Sequence, residues 1–218
     1  NNSNNSNISQ FKPGTYTVYK KSPDYNYFIR EAQICYSYFP FREINLWTEN
    51  MQNILNTQIY SHISNAVKKR VVGTSQRPIA CLLSGGLDSS LVSALVNKYY
   101  EGELETYSIG LQDSEDLKYA KCVAEHLGTR HTEIKLTEDE FFDAIPEVIR
   151  AIESYDTTTV RACVGNYLIG KYIATHSEAK VIFNGDGSDE LMGGYLYFHK
   201  APDSIDFDKE CKRLLKEI

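Results

Sequence analysis

The sequence predicts an α/β fold: a parallel sheet flanked by helices. Three observations carry that expectation. Residues 79–83, a short apolar run, and 179–183 read as strands buried in a sheet, and residues 104–109 and 130–135 read as two further strands. Between them lie stretches with apolar residues at helical spacing, the pattern of βαβ units. The chain has 218 residues, 42% hydrophobic and 24% charged, an ordinary globular composition able to bury a sizeable core.

Taken in order, residues 1–10 are polar and low in complexity and are expected to form a disordered tail. Residues 11–21 alternate Thr and Tyr after Pro13-Gly14 and read as one strand with no evident partner. Residues 25–47 are aromatic-rich without a clear period, with a turn expected at Phe39-Pro40-Phe41; they read as a connector. Met51, Ile54, Leu55, Ile59, Ile63, Ala66 and Val67 follow a helical period, and Lys68-Lys69-Arg70 suits a helix C-terminus. After the strand at 79–83, a helix is expected from Leu87 to Tyr100. Another starts beyond Ser114 as N-cap and stops at Gly128. Thr137 and Glu140 form a capping box for the next, in which Pro146 is expected early, as a kink or restart. Helices at 161–176 and 206–218 complete the reading, the latter charged and amphipathic.

Net charge is −6, which argues against a nucleic-acid surface. No apolar run approaches the roughly 20 residues of a membrane span, and no signal-peptide pattern opens the chain. The five cysteines, Cys35, Cys81, Cys122, Cys163 and Cys211, form no CxxC pair, and a cytoplasmic location is expected. Cys81, inside an apolar run, is expected to be a small buried hydrophobe. The five histidines have no metal-binding spacing and are expected to be structural or exposed.

Two loops carry candidate chemistry. Ser84-Gly85-Gly86-Leu87-Asp88-Ser89-Ser90 joins a strand to a helix. A helix start offers free N–H groups and a positive dipole end to an anion. The glycines allow close backbone approach, and the serines add hydroxyl donors. Asp88 would be repelled by bare phosphate, so a bridging Mg²⁺ is expected. A plain capped turn is the alternative. The second loop, Asn184-Gly185-Asp186-Gly187-Ser188-Asp189-Glu190, also follows a strand, and in open α/β sheets such loops share one ligand-binding edge. Asp88 and Asp189 could then share the metal; the alternative is a helix capped by Ser188.

On these loops the chain resembles the asparagine synthetase family, in its ATP-binding synthetase domain of the PP-loop, adenine nucleotide α-hydrolase-like fold. The likeness runs from about Met51 to Ala201. It rests on residues 82–90, on Tyr107-Ser108-Ile109-Gly110-Leu111, Asp116-Leu117-Lys118, Glu125-His126-Leu127-Gly128-Thr129 and Glu153-Ser154-Tyr155-Asp156. It also includes Thr158-Thr159-Val160-Arg161-Ala162 and Gly193-Gly194-Tyr195-Leu196-Tyr197-Phe198-His199-Lys200-Ala201-Pro202.

The resemblance implies that aspartate attacks the α-phosphorus of ATP and that ammonia, free or derived from glutamine, then displaces AMP from β-aspartyl-AMP. It implies ATP or pyrophosphate contacts at Leu83, Ser84, Gly85, Gly86, Asp88, Ser89, Ile109, Asn184 and Gly185. Mg²⁺ is implied at Asp88 and Asp189, and catalytic roles at Asp186, Arg161 and Glu190. Aspartate contacts are implied at Thr158, Thr159, Glu190 and Tyr195. Two departures stand out. The family has Ser-Gly-Glu where this chain has Asn184-Gly185-Asp186, and the shorter Asp carboxylate falls about 1 Å short unless the loop shifts. The family's cysteine-led glutaminase domain is represented only by residues 11–16, and its closing C-terminal segment has no counterpart. Residues 11–47 are therefore expected to be the end of that domain with a connector, and residues 48–218 a C-terminally incomplete ATP-binding domain. Another PP-loop ligase and a non-catalytic nucleotide-binding remnant are the competing readings.

Overall fold

The computed structural model describes residues 11–35 and 48–215. The expected tail at 1–10, the turn at Phe39-Pro40-Phe41 and the last turn of the C-terminal helix lie outside the described residues. The chain divides into two compact units, one of residues 47–186 and one of residues 1–46 with 187–218.

The larger unit is a four-stranded parallel sheet between helices. It begins with α1 (Glu49–Gly73), whose N-cap Thr48 accepts a hydrogen bond from the Met51 N–H at 3.2 Å and whose last turn carries Arg70. Then follow β3 (Ile79–Leu82), α2 (Leu87–Tyr99), β4 (Glu105–Leu111), α3 (Glu115–Leu127), β5 (Arg130–Leu136), α4 (Glu138–Ile152), α5 (Thr157–His176) and β6 (Val181–Phe183). Strands β1 (Thr15–Lys21) and β2 (Phe28–Cys35) belong to the smaller unit. Strand order is β5-β4-β3-β6, and all three pairings are parallel. The chain lays β4 and β5 on one side of β3 and then returns β6 to the other. A parallel return needs a crossover, and the helices supply it.

Alternating side chains on β3 face two layers. Ile79 and Cys81 pack with Val92, Leu95 and Val96 of α2 and with Val67 and Val71 of α1. Ala80 and Leu82 face Ile169 and Ile173 of α5, together with Tyr107 and Ile134. A second helical layer forms where Ala144 and Val148 of α4 meet Val160 and Val164 of α5. Cys81 is fully buried, as expected, and burial pushes its thiol up to about 12.

Several helix ends follow their sequence signals. The Thr137–Glu140 capping box is present, and Gly128 closes α3 in the left-handed conformation. Ser114 is the N-cap of α3 as expected, although its side chain makes no capping bond. Other expectations need correction. Pro146 lies in the interior of α4, which continues through it. Proline removes one N–H and leaves the helix intact where packing holds it, here between Ala144 and Val148 against α5. α5 begins a turn before Arg161, because Asp156 caps it by accepting from Thr159 N at 2.9 Å. β6 is not fully buried. Among the described residues it pairs only with β3, and Ile182 is 41% exposed.

A polar cluster is enclosed beside β4. Thr106 Oγ1 lies 2.8 Å from Thr129 Oγ1 and 2.9 Å from His131 Nδ1, and Ser108 Oγ is 3.2 Å from His131 Nε2. His131 is therefore structural, while His62, His126, His176 and His199 are exposed.

The smaller unit contains an antiparallel hairpin, β1 (Thr15–Lys21) with β2 (Phe28–Cys35), closed by Ser22 N–H donating to Tyr27 O at 3.0 Å. The lone strand expected at 11–21 thus has a partner within the segment read as a connector. The same unit contains α6 (Ser188–Met192), a 3₁₀ turn (Leu196–Lys200) and α7 (Ser204–Leu215). Gly187, not Ser188, is the N-cap of α6. Phe198 is buried and its ring lies 4.9 Å from that of Phe207 of α7. Among the described residues, no helix is long and apolar enough to cross a membrane. All five cysteines are free thiols.

Burial lowers the His131 pKa below its ordinary 6.5. The unfolded chain then binds a proton that the folded chain resists, so this contribution is complete above about pH 6.5 and is lost as pH falls toward the folded value. Urea unfolding of wild type should weaken below pH 6.5, and the weakening should shrink in His131→Gln. Equal pH slopes for the two proteins would contradict the assignment.

Candidate active site

The site is built where the sheet changes winding direction. Cys81 of β3 pairs with Phe183 of β6, so the loops that follow these strands leave side by side at the C-terminal edge. Strands wound to opposite sides of β3 leave a crevice there, the usual ligand position of doubly wound sheets.

The first loop is knitted by its own hydroxyls. Ser89 Oγ lies 2.9 Å from Ser84 Oγ, accepts from Ser84 N–H at 3.2 Å and donates to Gly86 O at 3.3 Å. Gly86 N–H donates to Ser84 Oγ at 3.3 Å. Ser89 is buried, so much of its hydroxyl capacity closes the loop. Gly86 is the N-cap of α2 and has no side chain to cap it. The first-turn N–H groups of α2 therefore lack a side-chain acceptor and carry the positive end of the helix.

The two glycines do different work. A Cβ on Gly85, whose φ is +82°, would lie 2.5 Å from Ala120 N and 2.6 Å from Tyr119 Cβ. Gly85 is thus pressed onto the α3 backbone. A Cβ on Gly86 would meet only Ser84 Oγ at 3.4 Å, so that position stays open. Leu83 is 1% exposed and packs with Ala120 and Ala124. Its side chain supports the loop from beneath and lines no open surface, which corrects the expectation for that side chain.

The second loop docks on the first. A Cβ on Gly185 would stand 2.8 Å from Ser89 N and 3.1 Å from Asp88 Cβ, so only glycine permits this approach. Asn184 and Asp186 flank it, and Asn184 Nδ2 donates to Asp186 Oδ2 at 2.6 Å. Ile109 is half-buried at the end of β4, with its Cγ2 3.8 Å from the Cβ position of Gly165 on α5.

That contact locates the rest of α5. Ile169 and Ile173 pack lower on the sheet, so the helix descends from above the C-terminal edge. Thr158 lies seven residues before Gly165, about 10 Å further up the helix axis. Thr158, Thr159 and Arg161 therefore stand above the edge that carries both loops, and all three are exposed. The Thr159 hydroxyl donates to Asp156 Oδ2 at 2.9 Å, so it serves the cap. Arg161 has no hydrogen bond or ion pair among the described residues. The N-cap role of Asp156 was not expected; an Asp three residues before Thr159 is the signal that reveals it.

Asp189, Glu190 and Tyr195 belong to the smaller unit. Tyr195 OH donates to Glu190 Oε1, and this bond to a carboxylate pushes the phenol up to about 12. Asp88 and Asp189 are half-buried carboxylates without a hydrogen bond or ion pair among the described residues. Such hard oxygen donors fit Mg²⁺. Among the described residues no three His, Cys, Asp or Glu side chains form a metal-holding group.

Fold and loops define an α/β protein with a parallel doubly wound core and a helix start without a side-chain cap at its switch point. The chain belongs to the asparagine synthase family, whose model matches residues 58–214. It is 47% identical over 185 residues to the glutamine-hydrolyzing asparagine synthetase of Homo sapiens, covering 83% of this chain and 31% of that protein. The Mus musculus enzyme of the same name is 50% identical over 159 residues, covering 71% of this chain and 28% of that protein. The chain thus spans about a third of the length of these curated relatives. Among solved structures, the glutamine-dependent NAD⁺ synthetase of Acinetobacter baumannii in complex with ADP is 18% identical with a TM-score of 0.47. That match covers 70% of this chain and 29% of the other.

The division between the glycines is testable by urea unfolding. Gly85→Ala should destabilise the fold by about 2–4 kcal/mol through backbone strain and overpacking. Gly86→Ala should stay within about 0.5 kcal/mol, as an uncrowded site does. Equal losses would contradict the packing.

Proposed function

We propose that the protein amidates aspartate at the expense of ATP. The β-carboxylate of aspartate attacks the α-phosphorus, and pyrophosphate leaves. Ammonia then adds to the acyl carbon of β-aspartyl-AMP, loses a proton and expels AMP, giving asparagine. Membership of the asparagine synthase family supports the reaction class. The observation that carries the reading is the docking of Gly185 against Asp88 and Ser89, which brings both candidate loops to one sheet edge.

The residues take roles that follow from their chemistry. The uncapped first turn of α2 and the open Gly86 backbone receive the leaving pyrophosphate. Arg161 is a planar cation suited to bidentate contact with phosphate or carboxylate. Thr158 adds a hydroxyl donor beside it. Ile109 offers apolar surface to the base of the nucleotide. Asp186 accepts hydrogen bonds from the reacting groups of the adenylate step. Glu190 holds the Tyr195 hydroxyl, and both are polar groups suited to contact aspartate. Asp88 and Asp189 would hold Mg²⁺, which when bound neutralises charge on the phosphates.

Nitrogen enters as ammonia, free or released from glutamine by a glutaminase region, and residues 11–47 read as the end of such a region. We place the reaction in the cytoplasm, consistent with five free thiols.

The test is pyrophosphate release with ATP, Mg²⁺, aspartate and ammonium, using this chain or a longer protein that contains it. Aspartate-dependent release is expected. ATP binding without turnover would instead support a nucleotide-binding remnant. Asp88→Asn should lower the release rate about 100-fold, the scale of losing one charge-stabilising group. An unchanged rate would remove Asp88 from the metal site.

A further inference from the structure

We propose that Asn184 is a positioning residue that holds the Asp186 carboxylate in one orientation. The inference rests on the amidation reading for its chemical meaning and on loop geometry for its existence.

The geometry begins at β6. Asn184 and Asp186 flank Gly185 just past the end of β6, where the chain turns. Gly185 between them has its backbone against Ser89 N and Asp88, which fixes the turn relative to α2. Asn184 Nδ2 donates to Asp186 Oδ2 at 2.6 Å, a charge-assisted bond. Both side chains are exposed, and packing alone would leave the Asp186 rotamer free. The amide supplies the missing restraint. It occupies Oδ2, while Oδ1 has no hydrogen-bond partner among the described residues and can accept from a substrate. A short carboxylate held from the side is thereby aimed without the reach of a longer chain. The Asn184 amide acts through Asp186, a different task from the ATP contact expected from its position.

The test combines kinetics with a readout independent of turnover. In pyrophosphate release, Asn184→Ala should lower kcat about tenfold or more, as misorientation of a reacting group does, with KM for ATP within about twofold. In an Asp186→Ala background the same substitution should change kcat less than about twofold, because coupled residues are not additive. A raised KM for ATP, or the same loss in both backgrounds, would overturn the role. In parallel, the side-chain amide resonance of Asn184 is followed by ¹⁵N–¹H NMR. It should move upfield and exchange faster in Asp186→Ala than in wild type. If wild type releases no aspartate-dependent pyrophosphate but the resonance moves, the amidation reading falls and the latch stands. If turnover is present and the resonance does not move, the latch falls alone.

Discussion

The central constraint is the pairing of β3 on both edges. β4 lies on one side of this strand and β6 on the other, all parallel. Parallel neighbours point their C-terminal ends the same way, so the loops after β3 and β6 must leave the sheet together. Gly185 converts that proximity into contact by lying against the first turn of α2. A candidate site assembled from residues a hundred positions apart thus depends on a single strand pairing and one missing side chain.

The core supports this arrangement from both faces. Ile79 and Cys81 are held by α1 and α2, while Ala80 and Leu82 are held by α5. Buried apolar contacts of this kind supply most of the stability of a domain. They also make the strand ends rigid, which a site on loops requires. Gly85 and Leu83 extend the same packing onto α3, so the uncrowded part of the first loop begins at Gly86. α5 serves twice. Its lower half covers the sheet, and its first turns carry Thr158 and Arg161 above the edge.

Much of this was legible in the residues. Strands β3 and β4 lie inside the sheet with a neighbour on each side, β5 pairs with β4 at the edge, and the positions of all three were readable within a residue or two. The capping box at Thr137 and the stop at Gly128 are local hydrogen-bond devices with local signatures. The partner strand β2 was not legible, because its side chains are mostly exposed and show no clean alternation. The continuity of α4 through Pro146 and the partial exposure of β6 were hidden for a related reason. Both depend on which neighbours pack against them, which local spacing does not encode.

The sequence by itself determined the fold class, the two loops and the family, because strand, turn and helix signals act over a few residues. Only the tertiary structure decided how the residues divide their labour. Gly85, Gly86 and Gly185 read alike as letters, yet one is pressed on α3, one is open and one joins the loops. Thr158 and Thr159 are adjacent, yet the Thr159 hydroxyl is bound to Asp156. Asn184 and Asp186 read as separate ligands and meet as a hydrogen-bonded pair. These assignments depend on distances between side chains and backbone, and such distances exist only once the sheet has set the direction of each loop.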